Sequence, residues 1–412
     1  MTGEAPSGGR TRVLLIMGEV FADGGIQRFN RTFIRACARL DVDCDVLALN
    51  DGESSRMRSS VPQSANISVF GRRRVPFALA TINRLVRGRY DVVVIGHVNL
   101  LTLVVAALAP RRWAPIRTLL IAHGIEVWTS IVGRRRRAIR AIDTVLCVSH
   151  YTAEMIKQQA PEMPTERLSI FPNALSESWT GRFKQASGIE ERRSLPTRFF
   201  LSVTRLDKAD RYKGIATSLE AFAMLEDQAL HYVIAGHGDD MVFLKEVAER
   251  LQVSERVHFL GTVSDAELAD LYRTCVAFVL PSGKEGFGIV FLEAMYFGAP
   301  VIAAAAKGAL DVVRHEHTGL LVPYGDSVAL KNAMNRLVHD TALCDRLRVE
   351  ASRMVNAEGQ FTFGAYVRRL AMILGAESPV SNADETRSRD AGQPLVQADE
   401  SVRKDGLSAR SM

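Results

Sequence analysis

Glu285-Gly286-Phe287-Gly288-Ile289-Val290-Phe291-Leu292-Glu293 follows a short apolar run at residues 277–280 and the turn Pro281-Ser282-Gly283. A buried strand, a glycine-rich turn and the start of a helix, in that order, make a βα unit of a doubly wound sheet. Gly286 and Gly288 leave backbone amides uncovered where the helix begins. Such an N-terminus attracts anions through its free N–H groups and its dipole. Glu285 and Glu293 flank that anion site. Beside a phosphate they are repelled unless they accept hydrogen bonds from hydroxyls, and sugar and ribose hydroxyls are such donors. The stretch therefore points to a nucleotide-sugar pocket at the carboxyl end of a parallel strand.

The same unit repeats outward in both directions. Aliphatic runs at residues 12–17, 45–49, 91–95, 118–122 and 144–148 read as buried parallel strands, with helical stretches such as 26–40 and 151–159 between them. After a charged, irregular segment at 175–196 the pattern restarts, with strands at 199–203, 231–235, 257–260, 277–280 and 300–303. Helices fit 214–225, 241–251, 264–275, 288–296 and 327–338, and Ser264 with Glu267 forms a capping box. The expected architecture is α/β, with two doubly wound Rossmann-like domains facing a cleft. Residues 1–180 form the acceptor side and 196–355 the nucleotide-sugar side. A helix within 356–376 is expected to return to the first domain. Residues 377–412 are polar and poor in aromatics, which reads as a disordered tail.

Composition agrees with a large globular chain: 412 residues, 47% hydrophobic and 24% charged. Five widely spaced cysteines, with no CxxC, argue for a reducing compartment and against a disulfide frame or structural zinc. No targeting segment is evident. The longest uncharged apolar stretch, 98–109, would span ~18 Å as a helix against a hydrocarbon core of ~30 Å. The expected location is cytoplasmic, with a peripheral seat on the inner face of the membrane as one option. The net charge of +6 hides an asymmetry: residues 1–195 carry 28 Lys and Arg against 17 Asp and Glu, and the rest carry 24 against 29. An anionic lipid surface and solvated helix faces both account for the basic half. Nucleic acid does so less well, because interleaved aromatics are missing.

Other residues of interest sit at strand ends. Arg205 follows the strand at 199–203, and Lys213 with Gly214 opens the next helix; two cations there suit a diphosphate clamp. Gly24 and Gly25 lie in the first βα turn, and His123 ends the strand at 118–122. Gly236-His237-Gly238 ends the strand at 231–235. As a dinucleotide fingerprint it fails, since Met241 takes the place of the third glycine. Asp41, Asp43 and Asp45 have the spacing of a metal-bound nucleotide site but read as a helix-to-strand connection.

The Glu285 to Glu293 segment resembles the E-x7-E signature of retaining family 4 glycosyltransferases, the bacterial group 1 enzymes with the two-domain GT-B fold. The resemblance extends over roughly residues 13–338. It implies that Glu285 contacts donor-sugar hydroxyls, that Glu293 binds the ribose, and that the backbone at Phe287, Gly288, Ile289 and Val290 holds sugar and diphosphate. Arg205 and Lys213 would neutralise the diphosphate, with Gly24, Gly25 and Gly236 near the nucleotide and His123 assisting transfer. Glu126 and Trp128 would face the acceptor. Three positions depart from the pattern: Thr204 stands for a common glycine, Ala174 ends Phe171-Pro172-Asn173-Ala174 in place of glycine, and the Asp207 to Arg211 connection is long enough for Arg211 to substitute as a clamp.

The implied activity moves a hexose from a nucleoside diphosphate sugar, GDP-mannose or a UDP-hexose, to a glycan or lipid-linked acceptor in bacterial surface polysaccharide or glycolipid assembly. The wording Arg211-Tyr212-Lys213-Gly214 is similar to that of mannosyltransferases. No cofactor or metal is required if Arg205 and Lys213 neutralise the leaving group. Rival readings are a sugar-nucleotide epimerase or hydrolase of the same fold, an NAD-dependent oxidoreductase, and a non-catalytic nucleotide-sugar binder at the membrane.

Overall fold

The computed structural model describes residues 10–22, 24–53, 61–62, 64–109, 116–128, 131–185, 196–357 and 359–377. The first half builds seven parallel strands: β1 (Arg12–Met17), β2 (Asp43–Ala48), β3 (Asn66–Val69), β4 (Val92–Ile95), β5 (Arg117–Ala122), β6 (Thr144–Cys147) and β7 (Leu168–Ile170). They lie in the order β3-β2-β1-β4-β5-β6-β7. The second half builds six: β8 (Phe199–Val203), β9 (His231–Ala235), β10 (Val257–Gly261), β11 (Ala277–Leu280), β12 (Val301–Ala304) and β13 (Leu320–Val322), ordered β10-β9-β8-β11-β12-β13. The central strands β4 and β11 are buried along their whole length, as expected of sheets covered by helices on both faces. Each fully buried valine, leucine or isoleucine there contributes about 2 kcal/mol.

Both sheets reverse their strand order once, between β1 and β4 and between β8 and β11. A ligand crevice opens outside the carboxyl ends of strands at such a reversal. Gly24, Gly96, Arg205 and Glu285 each follow one of those four strands. β3, β7 and β13 are not among the strands expected from sequence. All three end a sheet, and they hold only three or four residues, too few to display a period.

The chain crosses between the two halves twice. Trp179, on the helix Glu177–Gln185, meets the ring of Tyr296 at 5.6 Å. The last helix, Phe363–Leu374, returns to the first half, where Tyr366 packs on Phe171 at 4.6 Å and Phe29 at 5.9 Å. Leu175 N–H donates to Phe361 O at 3.0 Å beside that return. The tail expected at 377–412 lies, apart from Glu377, outside the described residues.

All five cysteines are buried free thiols. Asp45 accepts from Tyr90 Oη at 2.5 Å, Arg84 at 2.8 Å and Asn66 at 2.9 Å, while Arg10 pairs with Asp41 at 2.9 Å. The Asp-x-Asp stretch therefore serves the helix-to-strand connection and the β2–β3 edge. No helix among the described residues is long and apolar enough to cross a membrane. The apolar stretch at 98–109 instead forms a 3-10 turn and the eight-residue helix Leu101–Leu108.

Candidate active site

Gly288 takes a left-handed conformation (φ +88°) and starts the helix Ile289–Tyr296, which no side chain caps. Its first amides keep the anion-attracting character expected from the sequence. Phe287 is buried just ahead of that end, its ring edge-on to Phe361 at 5.5 Å. Ahead of the helix, the carboxylate of Glu285 is paired with Lys213. The loops after β8 and β11 are tied together by Gly283 N–H donating to Tyr212 O at 2.8 Å, which brings these two side chains into reach.

Arg205 pairs with buried Asp210 at 2.9 Å, and its guanidinium is largely exposed. Tyr212 Oη donates to the other oxygen of Asp210 at 2.8 Å; burial and that carboxylate push the phenol well above its ordinary value. Arg211, considered above as a substitute clamp, is used elsewhere. Its Nε donates to Asp240 at 2.8 Å and its Nη2 at 2.6 Å, and its plane lies 4.1 Å from the Phe243 ring centre. A bidentate pair with a buried carboxylate and an aromatic face fixes it in the fold.

Gly236 and Gly238 serve the same corner from below. A methyl group at Gly236 would enter the carbonyl of Thr204, and one at Gly238 the backbone of Leu206. Glycine lets this turn close against the loop that carries Arg205. The Gly-x-Gly expected near the nucleotide thus supports the cation's loop.

Glu293 lies one turn further along the helix and is 2% exposed. It accepts from Tyr272 Oη at 3.3 Å and pairs with Arg28 of the opposite half. Arg28 sits one turn into the helix Gly25–Arg39, which begins at Gly24 and is likewise uncapped by any side chain. The loop before it is fastened by Asp51, which accepts from Val20 N at 2.6 Å and Phe21 N at 3.2 Å. The double glycine and the Glu293 helix therefore face one another through an ion pair. Sequence reading missed Arg28: its position after the double glycine was visible, but no local pattern indicates its distant partner.

His123 ends β5, and its Nε2 lies 3.0 Å from Gly96 O. A carbonyl only accepts, so Nε2 carries the proton and Nδ1 keeps its lone pair. Burial pushes the imidazole pKa down to about 4, against a smaller opposing pull from the Gly96 carbonyl. The ring is neutral at pH 7. Glu126, expected to face an acceptor, turns back: its Oε1 accepts from His123 N at 2.6 Å and Gly124 N at 3.2 Å. Those two amides point into a tight turn, and the carboxylate buckles it.

At that turn the backbones of the two halves meet. A methyl group at Gly286 would meet His123 O, and one at Gly124 would meet Gly286 Cα. Only glycine allows the backbone of the His123 loop to lie against that of the Glu285 loop. Beside this approach Trp128 donates to Thr152 Oγ1 at 3.2 Å and stands edge-on to Tyr151 at 5.1 Å. Lys307, from the other half, sits 4.8 Å from the Trp128 ring centre, and His150 pairs with Asp311. Trp128 thus forms part of the seam between the halves, through partners that sequence reading did not find.

Residues 23–178 match the family described as Glycosyltransferase Family 4, and residues 187–354 match Glycosyl transferases group 1. A GDP-mannose-dependent alpha-(1-6)-phosphatidylinositol monomannoside mannosyltransferase of Mycobacterium tuberculosis is 33% identical over 53% of this chain and 60% of its own length. An uncharacterized glycosyltransferase of Methanocaldococcus jannaschii is 29% identical over 43% of this chain and 46% of its own. The matched stretch thus spans about half the length of these curated relatives. The crystal structure of Anabaena HepE in complex with UDP superposes with a TM-score of 0.71 at 19% identity, over 89% of this chain and all of that one. Two facing doubly wound sheets, one half matching each family, make this chain a member of the group 1 glycosyltransferases with the GT-B fold.

Proposed function

We propose that this protein is a retaining hexosyltransferase that moves a sugar from a nucleoside diphosphate donor to a glycan or lipid-linked acceptor. One observation carries the reading. Two carboxylates, Glu285 and Glu293, stand at one uncapped helix, each paired with a cation, Lys213 and Arg28. A nucleotide sugar satisfies all four charges separately, since its hydroxyls donate to the carboxylates and its diphosphate accepts from the cations and the helix amides. On donor binding, Lys213 and Arg205 take the diphosphate, sugar hydroxyls take Glu285 and the ribose takes Glu293.

In the proposed step the bond from the anomeric carbon to the diphosphate oxygen breaks, while a bond to the acceptor oxygen forms on the same face. The acceptor proton passes to the departing phosphate oxygen, and no metal is needed where two guanidinium or ammonium groups receive the charge. His123, neutral and with Nδ1 free of a proton, accepts from a sugar hydroxyl. Fixed charges and closure of the two halves supply the acceleration. The wording Arg211-Tyr212-Lys213-Gly214 and the mannosyltransferase relative favour GDP-mannose; the UDP complex of the Anabaena neighbour keeps a UDP-hexose as the alternative. An acceptor held at the inner face of a membrane suits the arginine-rich first half.

Glu285→Gln tests the reading. Transfer is expected to fall about a hundredfold or more, as for loss of a group that acts on the transition state, while affinity for the free nucleoside diphosphate changes little. Normal transfer by Glu285→Gln would falsify the assignment. Titration with UDP, GDP, ADP and NAD identifies the base, and a preference for NAD sinks the proposal.

A further inference from the structure

Three stretches of the first half, residues 71–90, 97–118 and 131–142, contain 14 arginines and no aspartate, glutamate or lysine. They supply three neighbouring helices on one side of the seven-stranded sheet: Arg74–Arg87 packs beside Leu101–Leu108, which packs beside Gly133–Ile139. Their inner residues, among them Phe77, Leu85, Val104 and Ile139, join one buried cluster with the sheet.

The outer surface is apolar as well as basic. Val75, Leu79, Ile82 and Val86 are exposed by 70%, 62%, 40% and 53%. They recur at i, i+4, i+7 and i+11, so they form a single stripe, turned away from the buried Phe77, Thr81 and Leu85. Exposed Arg72, Arg73 and Arg74 stand at the entry of this helix, and exposed Arg87 and Arg89 at its exit. Arg84 alone on the helix turns inward, to Asp45 and Tyr90. On the third helix, Val132 is exposed by 66% just ahead of exposed Arg134 and Arg137.

Glu162 takes up Arg136 at 2.9 Å beside the third helix, but the helix Arg74–Arg87 carries no carboxylate, and an exposed apolar stripe bordered by arginine has the chemistry of an interfacial helix on an anionic bilayer. A nucleic acid makes no use of the stripe. A second copy of this face would bring arginine against arginine, which like-charge repulsion opposes. We propose that this three-helix face seats the protein on an anionic lipid bilayer. The stripe enters the boundary between headgroups and acyl chains, and the flanking arginines pair with lipid phosphates. Arg72 to Arg74 follow β3 at the carboxyl end of the sheet, the side on which the cleft opens, so this seat holds the cleft near the lipid surface. The inference gives the membrane-held acceptor proposed above its point of contact, and it draws on that reading only for its purpose.

Flotation of the full chain with vesicles tests it without donor or acceptor. Wild type is expected to float at low salt with phosphatidylcholine vesicles containing about a third phosphatidylglycerol, and not with pure phosphatidylcholine. The double variant Leu79→Glu/Ile82→Glu is expected to lose at least about tenfold in partitioning. The triple variant Arg72→Glu/Arg73→Glu/Arg74→Glu is expected to lose as much, together with most of the salt dependence. Nucleoside diphosphate titration reports the fold of each variant, because none of these residues lies in the candidate site. Failure of wild type to float, or flotation of Leu79→Glu/Ile82→Glu at the wild-type level, overturns the proposal. So does light scattering in which the stripe variant turns a wild-type dimer into a monomer. A wild type that floats but binds no nucleotide sinks the transferase reading and leaves the lipid seat standing.

Discussion

Substitution of His123 by Asn removes a titrating ring and, because Asn is shorter, also the bond from Nε2 to Gly96 O, a loss that is the same at every pH. In the folded protein burial holds the imidazole at about 4, against an ordinary value of 6.5. Between those limits the unfolded chain binds a proton at this position and the native chain does not. Native stability therefore falls as pH drops below 6.5, by ~1.4 kcal/mol per pH unit, and is fully present above it. The loss reaches ~3 kcal/mol near pH 4, and between pH 7 and pH 5 it amounts to ~2 kcal/mol. Urea unfolding of wild type and His123→Asn at pH 7, 6 and 5 measures it. Titrations that do not feel His123 are common to both proteins and cancel in the difference; His97, which His123 helps to lower, is replaced by Asn in both. The stability gap between wild type and variant is expected to shrink by ~2 kcal/mol from pH 7 to pH 5. A gap constant within about 0.5 kcal/mol refutes the reasoning. So does an acidic limb near pH 6.5 in the wild-type rate that His123→Asn abolishes, because it would require a charged ring in the folded site.

The pair between Arg28 and Glu293 is open to a double-mutant cycle. Arg28→Met leaves a buried carboxylate without its cation, beside Tyr272 Oη, and is expected to cost ~1–3 kcal/mol, reduced from a fully buried pair because Arg28 is about a third exposed. Adding Glu293→Gln should restore part of that stability, and strictly additive effects would show that the two groups do not interact. Gly286→Ala places a methyl group against His123 O, so it is expected to lower stability by ~1–3 kcal/mol and transfer at least tenfold. An unchanged melting temperature would mean that the halves do not approach at this point.

The sequence alone determined the alternation and what stands at its ends. Aliphatic runs separated by glycine-rich turns are local patterns, and local patterns were enough to place ten strands, the Ser264 capping box and the residues after β1, β5, β8 and β11. Edge strands β3, β7 and β13 escaped because a few half-buried residues carry no period. Roles escaped for a different reason. Glu126 looks like an acceptor contact until the fold turns the His123 and Gly124 amides toward it. Arg211 looks like a phosphate clamp until Asp240 and Phe243 are brought to either side of it. Arg28 carries no signal in its own neighbourhood, and its partner Glu293 stands in the other half of the chain. Which cation neutralises which carboxylate depends on distance and burial across elements remote in sequence, and only folding of the chain sets those.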